Sequence, residues 1–176
     1  MKNSIIITIL IYLSLSFSYG QNSMTPDSSL IEAMDNINFL SGQWSGEGWI
    51  QMGRDKSFFT QHEIVEQKVN NTVMVIEGKG IDTESGNIIH QAFAVISYDV
   101  LNKKYLMRAF KADGKYIDAE ASFNSNGAFV WGFTIPHVGE IRYTIKLVNN
   151  EWIELGEMNR EGNNWFPFFE MKLSKK

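Results

Sequence analysis

The chain has 176 residues, with 16 basic and 20 acidic side chains and no cysteine. The lack of cysteine excludes disulfides, thiolate metal ligands, thiol catalysis and a lipid-modified cysteine. A mildly acidic chain repels phosphate backbones, so nucleic acid is not an expected partner.

The first 20 residues have the order of a secretory signal peptide. Lys2 is followed by an apolar run from Ile5 to Leu15 and by the small-residue exit Ser16 to Gly20. The run is too short to span a bilayer as a helix. We expect cleavage after Gly20, leaving 15 basic and 20 acidic side chains, a net charge of −5. The expected product is periplasmic or secreted and has no stable membrane span.

A short helix is expected before a long series of strands. Residues 21–38 form a polar leader and a helix that Ser28 or Ser29 caps and that ends near Ile37. Nine turn signals then divide residues 43–174 into ten segments rich in β-branched and aromatic residues. Because no helix-length pattern separates the segments, neighbouring strands should pair as antiparallel hairpins.

Ten hairpin-linked strands form either a two-sheet sandwich or a closed barrel. Closure removes exposed strand edges, and a Greek-key sandwich needs a long connection that the sequence does not contain. The predicted fold is therefore all-β: a ten-stranded antiparallel up-and-down barrel over residues 39–176, with the short helix covering one end.

The first predicted strand carries glycines on the same face as a tryptophan. Gly42, Gly46 and Gly48 share the parity of Trp44 in the stretch FLSGQWSGEGWIQMG. Glycines inside a strand mark a bend, a bulge or a close approach of another segment. They should let the strand coil around the interior while Trp44 plugs one end beneath a basic side chain of the last strand.

This opening carries a family resemblance. Gly42-Gln43-Trp44 after a short helix resembles the Gly-x-Trp opening of lipocalin-like (calycin) barrels. The longer pattern from Phe39 to Gly48 is similar to secreted bacterial lipocalin-like proteins of uncharacterised function, and to the related nitrobindin-type heme-binding barrels. The resemblance extends loosely over residues 30–173 and implies a barrel with a cavity. It also implies a basic residue over the tryptophan, which Lys172 matches by position.

Heme is the cofactor that the nitrobindin type implies, held there by one histidine near the C-terminus. The histidines of this chain are His62, His90 and His137, and none lies in the last two predicted strands. Heme is therefore not favoured, although Tyr143 or His90 would be available to iron if they faced inward. No metal site is expected, because His62 and its neighbour Glu63 must point to opposite faces.

Several side chains are candidates for contacting a ligand inside such a barrel. His90 shares a face with Ala92 and Ala94, and small residues opposite large aromatics make room for a ligand. The favoured interpretation of His90 by itself is a solvent-facing or hydrogen-bonded histidine at the barrel rim. Arg108 is a buried cation if it points inward and an ordinary surface residue if it points outward, and both orientations stay open. The predicted ligand-binding residues are Trp44, His90, Tyr98, Met107, Arg108, Trp131 and Tyr143.

Carboxylates recur three residues apart, as Glu63 with Glu66 and Glu154 with Glu157. In strands this spacing puts the members on opposite faces, so neither pair converges. Solvated strand faces are the favoured interpretation for both pairs.

The favoured function is a non-enzymatic carrier or sensor that takes a small apolar or amphipathic ligand into the barrel. One alternative is an enzyme acting on a small molecule in the same cavity, with His90, Arg108 or Glu157 as acid–base groups. Another is an interaction module with a filled barrel, which would use an apolar surface from Phe166 to Phe169. No catalytic residue is assigned, and neither the ligand nor the oligomeric state is specified by the sequence.

Overall fold

The computed structural model describes residues 25–160 and 164–176. The expected signal segment, residues 1–20, lies outside these ranges. No helix of the described residues is long and apolar enough to cross a membrane. In chain order the elements are α1 (Ser28–Asn36), a 3-10 turn (Asn38–Leu40), β1 (Gly42–Met52), β2 (Asp55–Lys68), β3 (Val73–Asp82), β4 (Ile88–Asp99), β5 (Lys104–Lys111), β6 (Tyr116–Phe123), β7 (Phe129–Ile135), β8 (Gly139–Val148), β9 (Glu151–Asn159) and β10 (Phe166–Lys175).

The strands close into one antiparallel barrel. Each strand pairs with its neighbours in the chain, and β1 also pairs with β10, from Trp44 opposite Lys175 to Ile50 opposite Phe169. Tight Asn-Asn turns follow β2 and β8, and both asparagines of each turn have positive φ, which asparagine tolerates better than most residues. The predicted ten-stranded up-and-down barrel is confirmed.

Helix α1 covers one end of the barrel. Its N-cap is Asp27, whose carboxylate accepts a 2.8 Å hydrogen bond from the backbone N–H of Ser29, so the predicted serine caps are wrong by one or two positions. The helix buries Ala33 and Met34, and the Tyr105 hydroxyl donates a 2.6 Å hydrogen bond to the Ala33 carbonyl. We call this the closed end of the barrel and the opposite end the open end.

The inner face differs between the two ends. Residues paired across a ladder share a face, so the register identifies the inward side chains. The closed half is fully buried, through Trp44, Val65, Met74, Ile96, Tyr105, Phe129, Ile145, Trp152 and Leu173. We call the part of the interior towards the open end the open half. Many of its inward side chains are only half-buried: Ile50, Ala92, Ala109, Ile117, Trp131, Phe133, Tyr143, Met158 and Phe169.

The glycines of β1 allow close approach of other groups to this strand. A Cβ atom on Gly46 would lie 2.0 Å from the carbonyl oxygen of Lys172 in β10. A Cβ atom on Gly48 would lie 2.6 Å from the ring of Phe59. Any side chain at either position would push apart the first and last strands or displace a buried ring.

Trp44 plugs the closed end as predicted. Its indole N–H donates a 2.7 Å hydrogen bond to the Leu40 carbonyl, and its ring meets Trp152 edge-on at 5.8 Å. The cation over the ring is the ammonium of Lys175, 5.2 Å from its centroid. Lys172 is wrong for this role, because strand alternation turns it outward, where it pairs with Glu151 at 2.8 Å.

Candidate functional site

Two glutamates lie inside the barrel. Glu63 of β2 is 6% exposed and Glu154 of β9 is 7% exposed. Their sequence neighbours three residues on, Glu66 and Glu157, lie on the outer face, so the predicted split between faces is confirmed. The expectation of solvated carboxylates is wrong for the two inward members, because alternation along β2 and β9 places them on the core face.

The Glu63 carboxyl lies against a glycine surface. A Cβ atom on Gly78 would be 2.7 Å from one Glu63 oxygen, and a Cβ atom on Gly80 would be 2.7 Å from the Gln61 side-chain oxygen. Gln61 Nε2 donates a 2.6 Å hydrogen bond to Glu63 Oε1. Glu63 Oε2 is buried and has no hydrogen-bond partner among the described residues. One oxygen of this carboxyl is therefore left open to another donor.

The Glu154 carboxyl lies between the two halves of the interior. Trp152 of the closed half donates a 3.2 Å hydrogen bond from its indole N–H to Glu154 Oε2. The Trp131 indole is also near enough to lower the pKa of this carboxyl, yet its buried N–H makes no hydrogen bond of acceptable geometry within the described residues. A second polar atom of the interior thus lacks a partner.

Burial changes the proton affinity of both carboxyls. Loss of hydration raises the pKa of Glu63 to about 7. Loss of hydration, together with the negative charge of Glu63, raises the pKa of Glu154 to about 8. Neither carboxyl forms a salt bridge within residues 25–160 and 164–176. At neutral pH the two groups titrate as a coupled, partly protonated pair that can both donate and accept hydrogen bonds.

Aromatic rings form one wall beside this pair. Trp131 stacks on Tyr143 with ring centroids 4.3 Å apart, and Tyr143 meets both Phe168 and Phe169 edge-on at 5.8 Å. A β-bulge between Pro167 and Phe169 brings the two phenylalanines to the same ring. Strict alternation would put the two on opposite faces of the strand, and the bulge removes that separation. Phe166 stays 61% exposed, which leaves only part of the predicted apolar surface on the outside.

Small side chains form the facing wall, on β3 to β6. Their inward residues include Gly78, Gly80, Ala92, Ala94, Ala109 and Ala119. At the open end, β1 and β10 lose their pairing beyond Ile50 and Phe169, which leaves a notch in the barrel wall. A depression of about 460 Å³ lies there, lined by Gln51, Gly53, Met158, Arg160, Phe166, Pro167 and Phe168. Met158 is the inward residue that this depression reaches.

The seven predicted ligand-binding residues lie in four places. Trp44 and Tyr98 are in the closed half, where Tyr98 contacts Tyr105 edge-on at 5.0 Å. Met107, Trp131 and Tyr143 point into the middle of the barrel, and the structure brings the last two into direct contact. His90 is at the open rim, and Arg108 is outside.

Arg108 does not line the interior. It lies between the inward residues Met107 and Ala109, so alternation turns it outward. Its guanidinium makes two hydrogen bonds to the Asp118 carboxylate, of 2.5 and 2.7 Å. A groove of about 670 Å³ on this wall includes both residues together with Leu106 and Glu120, and Glu120 forms a salt bridge with Lys104.

The acid–base set of the enzyme alternative is not assembled. Arg108 and Glu157 are both on the outer face, and Glu157 pairs with Arg142 at 2.7 Å. His90 is exposed at the open rim, where crowding by the protein and the positive charge of Lys111 lower its pKa. Among the described residues no three histidine or carboxylate side chains are placed to hold a metal ion.

The sequence reasoning missed Glu63, Gln61 and Glu154 as site residues. A signal was present, since Gln61 and Glu63 share the parity of Phe59 and Val65, which are large and apolar. The two glycines of β3 that face them repeat the same spacing of two. A glycine leaves room above its strand, so glycines opposite long polar side chains indicate that those side chains lie across the inner face of the sheet.

Comparisons with known proteins show the fold. No family model and no curated protein sequence matches this chain. The crystal structure of Rv2717c from M. tuberculosis is similar, with a TM-score of 0.64 and 11% identity, covering 86% of this chain and 99% of that chain. The S-type phycobiliprotein lyase CPES from Guillardia theta is also similar, with a TM-score of 0.60 and 9% identity, covering 86% of this chain and 98% of that chain. These likenesses support a lipocalin-like barrel, while the nitrobindin relation stays a prediction.

Proposed function

We propose that the protein is an exported carrier or sensor that binds a small apolar or amphipathic molecule in the open half of the barrel. The observation that carries this proposal is the contrast in burial along the inner face. Most large inward side chains of the closed half are fully buried, whereas many of those in the open half stay half-buried, with Phe59 and Ile141 as buried exceptions there. Half-buried apolar groups on an inward surface gain by contact with an apolar ligand.

The two walls of the open half divide the work of binding. Trp131, Tyr143 and Phe169 offer flat apolar surface on one side, and Ala92 and Ala109 leave space on the other. A ligand between them loses its hydration shell, which supplies the affinity. The polar groups at mid-barrel then fix its orientation, as a few placed polar groups do in most apolar pockets.

Retained ligand is the direct test. Native mass spectrometry of the protein purified from the cells that produce it should show a mass excess of a few hundred daltons that is lost on denaturation. Titration of ligand-free protein with Nile red, a neutral polarity-sensitive dye, should give enhanced, saturable fluorescence. No retained mass together with no dye binding contradicts the proposal.

Two matched variants locate the binding site. Ala109 is inward and half-buried, whereas Leu106 on the same strand is outward and 39% exposed. Ala109→Phe fills the space opposite the aromatic wall and should lower Nile red affinity about tenfold or more. Leu106→Phe should leave affinity unchanged. If Ala109→Phe does not fold, Ala92→Leu fills the same half with less added volume. Equal binding by the inward and outward variants would place the dye outside the barrel.

A further inference from the structure

We propose that the buried pair Glu63 and Glu154 selects ligands that carry a protonated amine, held beside the Trp131–Tyr143 stack. The inference rests on the proposed function, because it names the class of ligand that the open half takes. Three features of the site support it: a buried oxygen without a partner, the charges that face the pair, and the aromatic surface next to it.

The carboxyl of Glu63 has an incomplete set of hydrogen bonds. Glu63 is 6% exposed, and Gln61 serves only its Oε1 atom. Its Oε2 atom lies 2.8 Å from where a Cβ atom of Gly78 would be, so it rests on a strand surface that offers no side-chain donor. Buried carboxyl oxygens are nearly always hydrogen-bonded, and a missing partner calls for a specific cause. A donor carried by the ligand supplies it.

The charge that faces a ligand at this pair is negative. The two carboxyls repel each other, and neither has a cationic partner within the described residues. The nearest inward cations act elsewhere, since Lys111 lies near His90 at the rim and Lys175 lies over Trp44. A carboxylate or phosphate on the ligand would add another negative charge to a desolvated site. An ammonium replaces the proton that the pair otherwise holds.

An aromatic surface lies next to the pair. Trp131 and Tyr143 are inward, half-buried and stacked in parallel, with their planes 11° apart. Ring faces attract cations, most strongly where water is excluded. An amine beside Glu154 therefore also finds aromatic rings, because Trp131 and Tyr143 both interact with that carboxyl. The remainder of an amphipathic ligand would extend over Phe169 towards the open end.

A matched set of probes separates charge from apolar contact. Octylamine, 1-octanol and octanoate share one chain and differ only in the head group. In competition with Nile red at pH 7, octylamine should bind about tenfold more tightly than 1-octanol, and octanoate should bind most weakly. Calorimetry in buffers of different ionisation enthalpy should show proton release with octylamine and none with 1-octanol, because the ammonium displaces a proton from the pair.

Isosteric variants assign the preference to the pair. Glu63→Gln and Glu154→Gln should each lower octylamine affinity about tenfold, and the double variant should abolish proton release, while 1-octanol affinity stays the same in all three. Glu66→Gln, an outward and exposed residue of the same strand, is the control and should change nothing.

The outcomes separate this inference from the function on which it rests. Binding of all three probes with equal affinity would leave the carrier intact and overturn the amine preference. An amine preference that survives in both glutamine variants would also overturn it. If no probe displaces Nile red, the inference fails, and the mass of a retained ligand decides the proposed function separately.

Discussion

The closed half and the open half of this barrel are built from the same strands but are finished differently inside. Trp152 and Phe129 of the closed half are fully buried among other large side chains. Trp131, one alternation step beyond Phe129 on β7, and its partner Tyr143 on β8 stay half-buried. The side-chain types are alike in both halves. Whether an inward aromatic ring is fully or half buried is therefore decided by what lies opposite it.

The buried carboxyls lie at the boundary between the halves. Glu63 is paired in register with Trp44, and Glu154 accepts a hydrogen bond from Trp152. Both tryptophans belong to the closed half, while the alanines and glycines opposite belong to the open half. A buried tryptophan thus lies beside each of the two carboxyls that are buried in the described barrel, and Gln61 holds Glu63 by a hydrogen bond. Such support is what a recognition group requires.

The comparison is tested most strongly by truncating one aromatic residue in each half. Trp152→Ala removes a buried ring that contacts Trp44 and should cost about 3–5 kcal/mol of unfolding free energy. Phe133→Ala removes a half-buried ring near the open end and should cost about 1 kcal/mol. Urea denaturation measures both. Equal losses would mean that the open half is packed as tightly as the closed half.

The next effect is the dependence of stability on pH. The pKa values of Glu63 and Glu154 rise on folding to about 7 and about 8, so the folded state binds more protons than the unfolded state. Their contribution is complete below about pH 4.5 and is lost as pH rises through 7 and 8. Unfolding free energy should fall by several kcal/mol between pH 5 and pH 9.

The double variant Glu63→Gln/Glu154→Gln is the control for this pH dependence. Glutamine keeps the shape but cannot ionise, so the stability of the variant should be nearly flat over the same range and should exceed that of the wild type at pH 9. Urea unfolding at several pH values measures both proteins. A parallel decline in both would assign the pH dependence to other groups. His90 is not one of them, because its lowered pKa makes stability rise with pH.

The sequence predicted most of the fold, because the fold depends on local signals. Turn residues such as Asn70-Asn71 and Asn149-Asn150 divide the chain, and alternation within strands defines the faces. The helix cap moved by one or two positions to Asp27, since several polar residues in a row could fill that role. The orientation of Phe168 was missed because a bulge depends on pairing with another strand.

The site was less predictable, because it depends on which strands meet across the barrel. Alternation alone could have placed Glu63 and Glu154 on the inner face. Charged residues are rarely buried, so solvated strand faces were expected for them. Their burial follows from features of other strands, such as Gly78 opposite Glu63. Arg108 shows the opposite case, where its partner Asp118 on β6 explains an outward cation that the sequence left open.

The glycine surface under Glu63 gives a smaller, more local effect. Gly78→Ala places a Cβ atom about 2.7 Å from the carboxyl, so we expect a loss of about 1–2 kcal/mol in unfolding free energy. In a Glu63→Ala background the same substitution should cost much less, because the obstructing group is gone. Denaturation of all four proteins completes the cycle.

Gly132→Ala is the matched control for that cycle. Its Cβ atom would meet the backbone oxygen of Ile141 at 2.4 Å, which no change at Glu63 can relieve. Its cost should be the same in the wild-type protein and in the Glu63→Ala background. A cost at Gly78 that is equally indifferent to Glu63 would show that the strand backbone, and not the carboxyl, requires glycine there.

The smallest effect is expected outside the barrel. Arg108 and Asp118 are more than half exposed, so solvent screens their attraction. Arg108→Met should leave the urea midpoint within experimental error and leave Nile red and octylamine affinity unchanged. A marked loss of octylamine binding in this variant, with stability intact, would move the site to the outer groove. The difference between the two inner halves would then be one of packing alone, since the half-buried rings of the open half would have no ligand to explain them.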